Sequence, residues 1–143
     1  MTTVAVSGGF DPIHIGHINL LKAAKALGDR LVVILNNDHW VFKKKGYIFM
    51  SWEERKTVLE AIKYVDEVIL TNHPENPDDM SVCFELEKLR PQIFANGGDR
   101  KAENIPEYDL CKKLDIKMAF NVGGEKAQSS SELVKKVRDL HVP

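Results

Sequence analysis

The stretch that constrains this chain most is Ser7-Gly8-Gly9-Phe10-Asp11-Pro12-Ile13-His14-Ile15-Gly16-His17. The apolar run Val4-Ala5-Val6 leads into it, and an amphipathic pattern of Leu20, Leu21, Ala24 and Leu27 leads out. A strand, a glycine turn and a helix start therefore follow one another, the arrangement α/β proteins use to hold phosphates. Gly8 and Gly9 carry no Cβ, so an anionic ligand can approach the backbone closely. Pro12 biases Asp11 towards an extended backbone and delays the helix to the neighbourhood of Ile15. The unpaired N–H groups and positive dipole end of that helix then aim back at the glycine turn. His14 and His17 are three residues apart, so around the first helical turn both rings can face one spot. Imidazoles, a helix N-terminus and bare backbone converging on one point indicate chemistry on a phosphate. Metal ligation by the two histidines with Asp11 is the alternative. Against it, helical metal-binding histidines more often come at i, i+4, and no further His or Cys cluster completes a zinc shell.

With 143 residues the chain is expected to form one domain, 1–143, long enough to bury roughly two-thirds of its unfolded surface. Charge is balanced, 20 basic residues against 21 acidic, so nothing calls for a nucleic-acid or membrane partner. Cys83 and Cys111 are widely spaced and form no CxxC, which reads as reduced, packed thiols of a cytosolic protein. The N-terminus lacks a basic segment followed by a long apolar stretch. The longest aliphatic run, Leu31 to Leu35, is far too short to span a bilayer. A soluble, cytoplasmic protein is expected.

Leu31 to Leu35 reads as a strand of a parallel sheet covered on both faces. Asn36-Asn37-Asp38 ends it at the sheet edge that carries the Gly8-Gly9 turn, so Asp38 is expected near the site. Trp40 to Gly46 reads as a short basic loop bearing Lys43, Lys44 and Lys45. Ser51 and Glu54 form a capping box that opens a helix burying Val58, Leu59 and Ile62. Arg55 falls in its first turn, where a nearby phosphate would offset the unfavourable helix dipole. Tyr64 to Leu70 gives a turn and a third strand. Asn72 to Asp79 follows as a surface loop in which His73 is expected to face solvent. A helix from Met80 to Leu89, stopped by Pro91, leads to a strand over Gln92 to Ala95. Asn96-Gly97-Gly98-Asp99-Arg100 then repeats the logic of the opening: strand, paired glycines, polar residues. Ile105 to Leu114 reads as a helix and Ile116 to Val122 as a fifth strand. Ser129-Ser130-Ser131-Glu132 opens the last helix with another capping box. Strands alternating with helices predict a three-layer α/β/α fold around a five-stranded parallel sheet with right-handed crossovers.

The segment Gly9 to His17 resembles the signature of the HxGH-type nucleotidyltransferases, in their cytidylyltransferase-like branch. That branch takes in glycerol-3-phosphate cytidylyltransferase, the adenylyltransferase part of ADP-heptose synthase and archaeal FAD synthetase. Glu54-Arg55-Lys56, Val65-Asp66-Glu67-Val68, Gly97-Gly98-Asp99 and Ser129-Ser130-Ser131 are also similar to segments of the family. The resemblance implies a Rossmann-like nucleotidyltransferase fold with its active site over the Gly8-Gly9 turn. The implied reaction moves AMP or CMP from ATP or CTP to a small phosphorylated acceptor and releases pyrophosphate. A sugar phosphate of the ADP-heptose type or glycerol phosphate is the leading acceptor. FAD synthesis from FMN and a non-catalytic nucleotide-binding regulator are the alternatives. Gly-Gly-Asp at 97–99 tilts the choice of nucleotide towards ATP.

Carried onto this chain, the resemblance assigns catalysis to His14, His17 and Lys44. Spacing alone does not separate Lys43, Lys44 and Lys45; Lys44 is favoured and Lys43 follows. Nucleotide contacts are expected from Gly8, Gly9, Phe10, Gly16, Gly97, Asp99, Arg100, Ser129, Ser130 and Ser131. Asp11, Asp38, Lys43, Arg55 and Lys126 are expected around the phosphates and the acceptor. Lys126 stands near where many relatives carry an arginine, and it lacks the bidentate fork. Mg²⁺ is expected to bridge phosphates with few protein ligands, with no metal site built from the chain. Relatives of this kind are often dimers, so a homodimer is an expected assembly.

Overall fold

The computed structural model describes residues 1–98, 100, 105–124 and 128–140. Strand β1 (Thr3–Gly8) lies at the centre of an all-parallel sheet of order β3-β2-β1-β4-β5. The others are β2 (Arg30–Leu35), β3 (Glu67–Leu70), β4 (Ile93–Ala95) and β5 (Lys117–Ala119). Side chains alternate across a strand, so Val4 and Val6 point to one face and Ala5 to the other. On the first face α1 (Ile15–Lys25) and α3 (Trp52–Glu60) supply Leu21, Ala24 and Leu59. On the second, Leu86 of α4 (Cys83–Leu89) and Cys111 of α5 (Tyr108–Lys113) pack on Ile34 and Phe94. Burial on both faces is why β2 is an unbroken apolar run. The result is the three-layer, five-stranded Rossmann-like fold expected from the alternation of elements.

Strand order decides where the site falls. The chain winds outward from β1 through β2 to β3, then returns to place β4 on the other side of β1. That reversal opens a crevice at the carboxyl ends of β1 and β4, where parallel α/β sheets take their ligands. The Gly8-Gly9 turn and the Asn96–Gly98 segment flank it. At the sheet's opposite edge, Asp66 accepts the Leu31 amide at 2.7 Å and the Lys25 ammonium. The Lys25 hydrogen bond holds its carboxyl below the usual range. The Val65–Val68 segment thus has a structural task, pinning β3 beside β2.

Several elements differ from the sequence reading. The basic loop after β2 is a helix, α2 (Asp38–Lys45). Asn37 caps it by accepting the Trp40 amide, Lys43 to Lys45 lie in its last turn, and Gly46 ends it at φ 82°. Lysines there complement the helix dipole, and a left-handed residue is the common helix stop. Only Val41 of α2 is buried, so the hydrophobic periodicity that normally announces a helix is missing. Helix α4 begins at Cys83, not Met80, because Ser81 is engaged by Asp79 and His73. His73 does not face solvent. Its ring is buried between the Thr71 hydroxyl at 2.8 Å and the Ser81 carbonyl at 3.0 Å, tying β3 to the start of α4. Leu27 lies beyond the end of α1 and is exposed. Helix α5 and strand β5 are shorter than expected, while the last helix, α6 (Ser130–Leu140), follows directly on Ser129, whose hydroxyl accepts the Glu132 amide.

Candidate active site

The histidines of the opening stretch cap their own helix. His14 is the extended N-cap residue of α1, and its Nδ1 accepts the Gly16 amide at 3.0 Å. His17 reaches back, its Nδ1 accepting the His14 amide at 3.2 Å. This is a capping box made of imidazoles, satisfying two amides that a helix start would leave unpaired. It also sets the chemistry. A neutral ring whose Nδ1 accepts carries its proton on Nε2, so each ring presents an N–H donor at its other nitrogen. The rings stack with centroids 3.9 Å apart and planes 25° from parallel, which aims the two donors side by side. Phe10, buried at φ 52°, meets His17 edge-on at 4.8 Å and fixes its orientation.

Gly16 is required by this geometry. A Cβ there would sit 2.9 Å from His14 Cε1 and 3.1 Å from Nδ1, so any side chain would displace the ring. Gly16→Ala is expected to leave the melting temperature near that of the wild type, because alanine is the better helix former. Turnover should fall about a hundredfold, the scale of a small misplacement at a reacting centre. Paired melting and steady-state measurements check this; unchanged turnover would show that the position of the His14 ring is immaterial.

A cavity of about 360 Å³ opens above the two rings. Gly9, Phe10, Gly16 and the histidines form one side, and Gly97, Gly98, Gly123 and Gly124 another. The start of α6 closes it with Ser129, Ser130 and Ser131. Ser129 accepts the Glu132 amide as a helix cap, while the Ser130 hydroxyl donates to the Pro12 carbonyl at 2.7 Å. That bond joins the start of α6 to the start of α1, so two positive helix ends border one cavity. Lys44 and Lys45, from the last turn of α2, bring the cations. Lys45 also donates to the Asp11 carbonyl at 2.9 Å.

Ten of the residues expected from sequence therefore line this cavity: Gly9, Phe10, His14, Gly16, His17, Lys44, Gly97, Ser129, Ser130 and Ser131. Others are placed elsewhere. Arg55 does not line the cavity, and its side chain is wholly buried. Its guanidinium donates to the carbonyls of Gly9 (2.6 Å), Asn36 (2.7 Å) and Met50 (3.0 Å) and to Asp38 Oδ1 (2.7 Å). Asp38 is thereby taken up as its counter-ion. Asp11 is also fully buried, and its carboxylate accepts the amides of Phe49 and Met50 at 2.7 and 2.6 Å. These groups tie the glycine turn to the ends of β2 and the start of α3. Lys43 lies on the other side of α2 with Phe42 and Ile48. Gly8 and Arg100 border a neighbouring cleft, where Arg100 pairs with the buried Glu107 at 2.9 Å. Burial is the main cause that raises the Glu107 carboxyl above its ordinary range. Asp99 and Lys126 lie outside the described residues.

The sequence reading passed over Gly98, Trp40 and the Gly123-Gly124 pair as site residues, and it ranked Lys45 behind Lys44 and Lys43. The Asn37 cap and the Gly46 stop were the available signal for the lysines. Read as a helix, the segment puts Trp40 with Lys44 and Val41 with Lys45, at i, i+4 spacing. Lys43 then turns away.

A parallel sheet with imidazole donors, two helix ends and lysines over its switch point is built for transfer of a nucleotidyl group. The chain belongs to the cytidylyltransferase-like family, whose model matches residues 5–139. It is a nucleotidyltransferase. It is 43% identical to the FAD synthase of Pyrococcus abyssi over 96% of this chain and 93% of that one. It is 49% identical to the glycerol-3-phosphate cytidylyltransferase of Bacillus subtilis, over 78% and 83% of the two chains. The bifunctional protein HldE of Streptomyces coelicolor is 38% identical, the match covering 78% of this chain and 23% of that protein. Among solved structures, a lipopolysaccharide core biosynthesis protein from Thermoplasma volcanium superposes with a TM-score of 0.68. The identity is 28%, and 90% of this chain and 99% of that one are covered. No helix among the described residues is long and apolar enough to cross a membrane.

Proposed function

We propose that this nucleotidyltransferase is an FMN adenylyltransferase, making FAD from FMN and ATP. The carrying observation is the end-to-end match with the Pyrococcus abyssi FAD synthase, which leaves almost nothing of either chain unaligned. A sugar phosphate or glycerol phosphate led the expectations from sequence. The extent of this match moves FMN ahead of them.

An oxygen of the FMN phosphate attacks the α-phosphorus of ATP. The new P–O bond forms as the bond to the bridging oxygen breaks, and pyrophosphate leaves with that electron pair. Such a transfer needs alignment and charge neutralisation more than covalent help. His14 and His17 donate from Nε2 to oxygens of the α-phosphate as charge builds there. Lys44 and Lys45 neutralise the triphosphate. The start of α6 holds the β- and γ-phosphates with its amides and the Ser129 and Ser131 hydroxyls, the Ser130 hydroxyl being engaged by Pro12. The described residues bring no group of three His, Cys, Asp or Glu side chains together, and the Asp11 carboxylate is spent on backbone amides. In this reading Mg²⁺ would arrive on the nucleotide's phosphates, where it would neutralise charge with few protein ligands.

The test is an incubation of the purified protein with Mg²⁺, either ATP or CTP, and FMN, glycerol 3-phosphate or a sugar 1-phosphate. FAD on chromatography, with matching pyrophosphate release from ATP, is the expected result. Pyrophosphate from CTP and glycerol 3-phosphate, with FMN inert, would replace this reading with that of the Bacillus subtilis relative. Nucleotide binding without release from any pair would leave a regulator.

A further inference from the structure

We infer that the cleft beside the nucleotide cavity, walled by Trp40 and floored by Asn36, receives the flat ring of the acceptor, with the Asn36 carboxamide reading the ring's polar edge. The inference rests on the FMN reading above.

The cleft measures about 500 Å³ and lies on the other side of Trp40 and Lys44, which line both spaces. Gly8 borders the cleft and Gly9 the nucleotide cavity, so consecutive residues of one turn floor the two. Ligands in the two spaces would meet across that turn, beneath Lys44. Trp40 is held in place by its indole N–H, which donates to the Met80 carbonyl at 2.8 Å. A Cβ on Gly9 would come within 3.3 Å of the indole, so the glycine is what lets the ring stand so close to the turn. Met80, Val82, Ile105 and Pro106 complete an apolar wall. A planar aromatic system can lie against this wall, while Ser7, Lys44, Arg100 and Glu107 give the rest of the lining a polar border.

Asn36 supplies the specific contact. It is 3% exposed, and its Oδ1 is buried without a hydrogen-bond partner. Its backbone is fully used, the amide donating to Gly8 and the carbonyl accepting from Arg55. The adjacent Asn37 has both ends of its carboxamide satisfied, by His73 and Trp40. Buried polar atoms are rarely left unpaired, and the exceptions call for a partner that arrives later. Asn96 Oδ1 is likewise unpartnered, but its own amide is tied to Phe94 and Ala119. Asn36 lines the cleft itself. A carboxamide offers an acceptor beside a donor, the complement of an imide edge such as the N–H flanked by carbonyls on an isoalloxazine. Arg100, clamped by Glu107, borders the same cleft.

The experiment compares wild type with Asn36→Ala, measuring KM for FMN and for ATP together with the melting temperature. The expected result is a KM for FMN raised about tenfold, the scale of lost hydrogen bonds to a buried group. KM for ATP should stay within about twofold, and the melting temperature should hold or rise, since the side chain has no protein partner to lose. FMN fluorescence should also be quenched on binding wild type and less so on binding Trp40→Leu. Normal FMN turnover with an unchanged KM in Asn36→Ala overturns this inference and leaves the FMN reading standing. A wild type that ignores FMN and uses another acceptor overturns both.

Discussion

Replacing His17 with asparagine is expected to lower turnover by roughly 10²–10³-fold while leaving helix α1 intact. The choice of asparagine follows from the geometry. His17 has two nitrogens with separate tasks: Nδ1 accepts the His14 amide, and in the proposed mechanism Nε2–H donates to the α-phosphate. An asparagine carboxamide ends about where Nδ1 lies, so it can keep the cap and cannot supply the donor. Glutamine reaches about as far as Nε2 and reverses the exchange. His17→Gln should therefore be the less stable of the pair, by about 1 kcal/mol for the lost cap, and the more active. Alanine removes both functions and confounds them. Melting temperatures and single-turnover rates for the asparagine and glutamine variants separate the roles. Equal turnover in both, well below wild type, would mean that the imidazole acts otherwise than as an Nε2 donor.

Arg55→Ala should cost about 3–5 kcal/mol of unfolding free energy, the range for stripping one partner from a buried, hydrogen-bonded ion pair. That is a large share of the roughly 5–15 kcal/mol that holds a domain folded. The substitution would orphan the carbonyls of Gly9, Asn36 and Met50 and leave Asp38 without its counter-ion. Lysine should rescue little, because one ammonium cannot span four acceptors on separate segments. Denaturant titration measures the effect. The contrary outcome is specific: a variant as stable as wild type, with a raised KM for a phosphorylated substrate alone, would return Arg55 to the substrate.

Arg55 and Asp11 show where the sequence misled. Both stand near the glycine turn in the sequence reading, and a charge there suggests an anionic partner. Among their actual partners are backbone groups 46, 38 and 39 positions away. No local pattern encodes such a pairing, because it exists only once β1, the end of β2 and the start of α3 are packed together. His73 is the same case on a smaller scale. It sits in a polar, proline-bearing loop that reads as solvent-facing, yet the carbonyl of Ser81 and the hydroxyl of Thr71 enclose it. Helix α2 was hidden for a different reason. Its signals were capping residues and terminal charges, not a buried stripe, and it rests on the sheet through little more than Val41.

What the sequence determined by itself was whatever hydrogen-bonding and hydrophobic patterns complete within about ten residues. Those patterns give the strand–glycine–histidine start, the alternation of strands and helices, the serine cap of α6, and hence the sheet edge that carries the chemistry. Tertiary structure alone decided which charges look into the cavity and which are consumed holding its floor. Burial turns a side chain towards whatever polar group the fold brings within reach, and in a parallel sheet those groups come from strands and loops far apart along the chain.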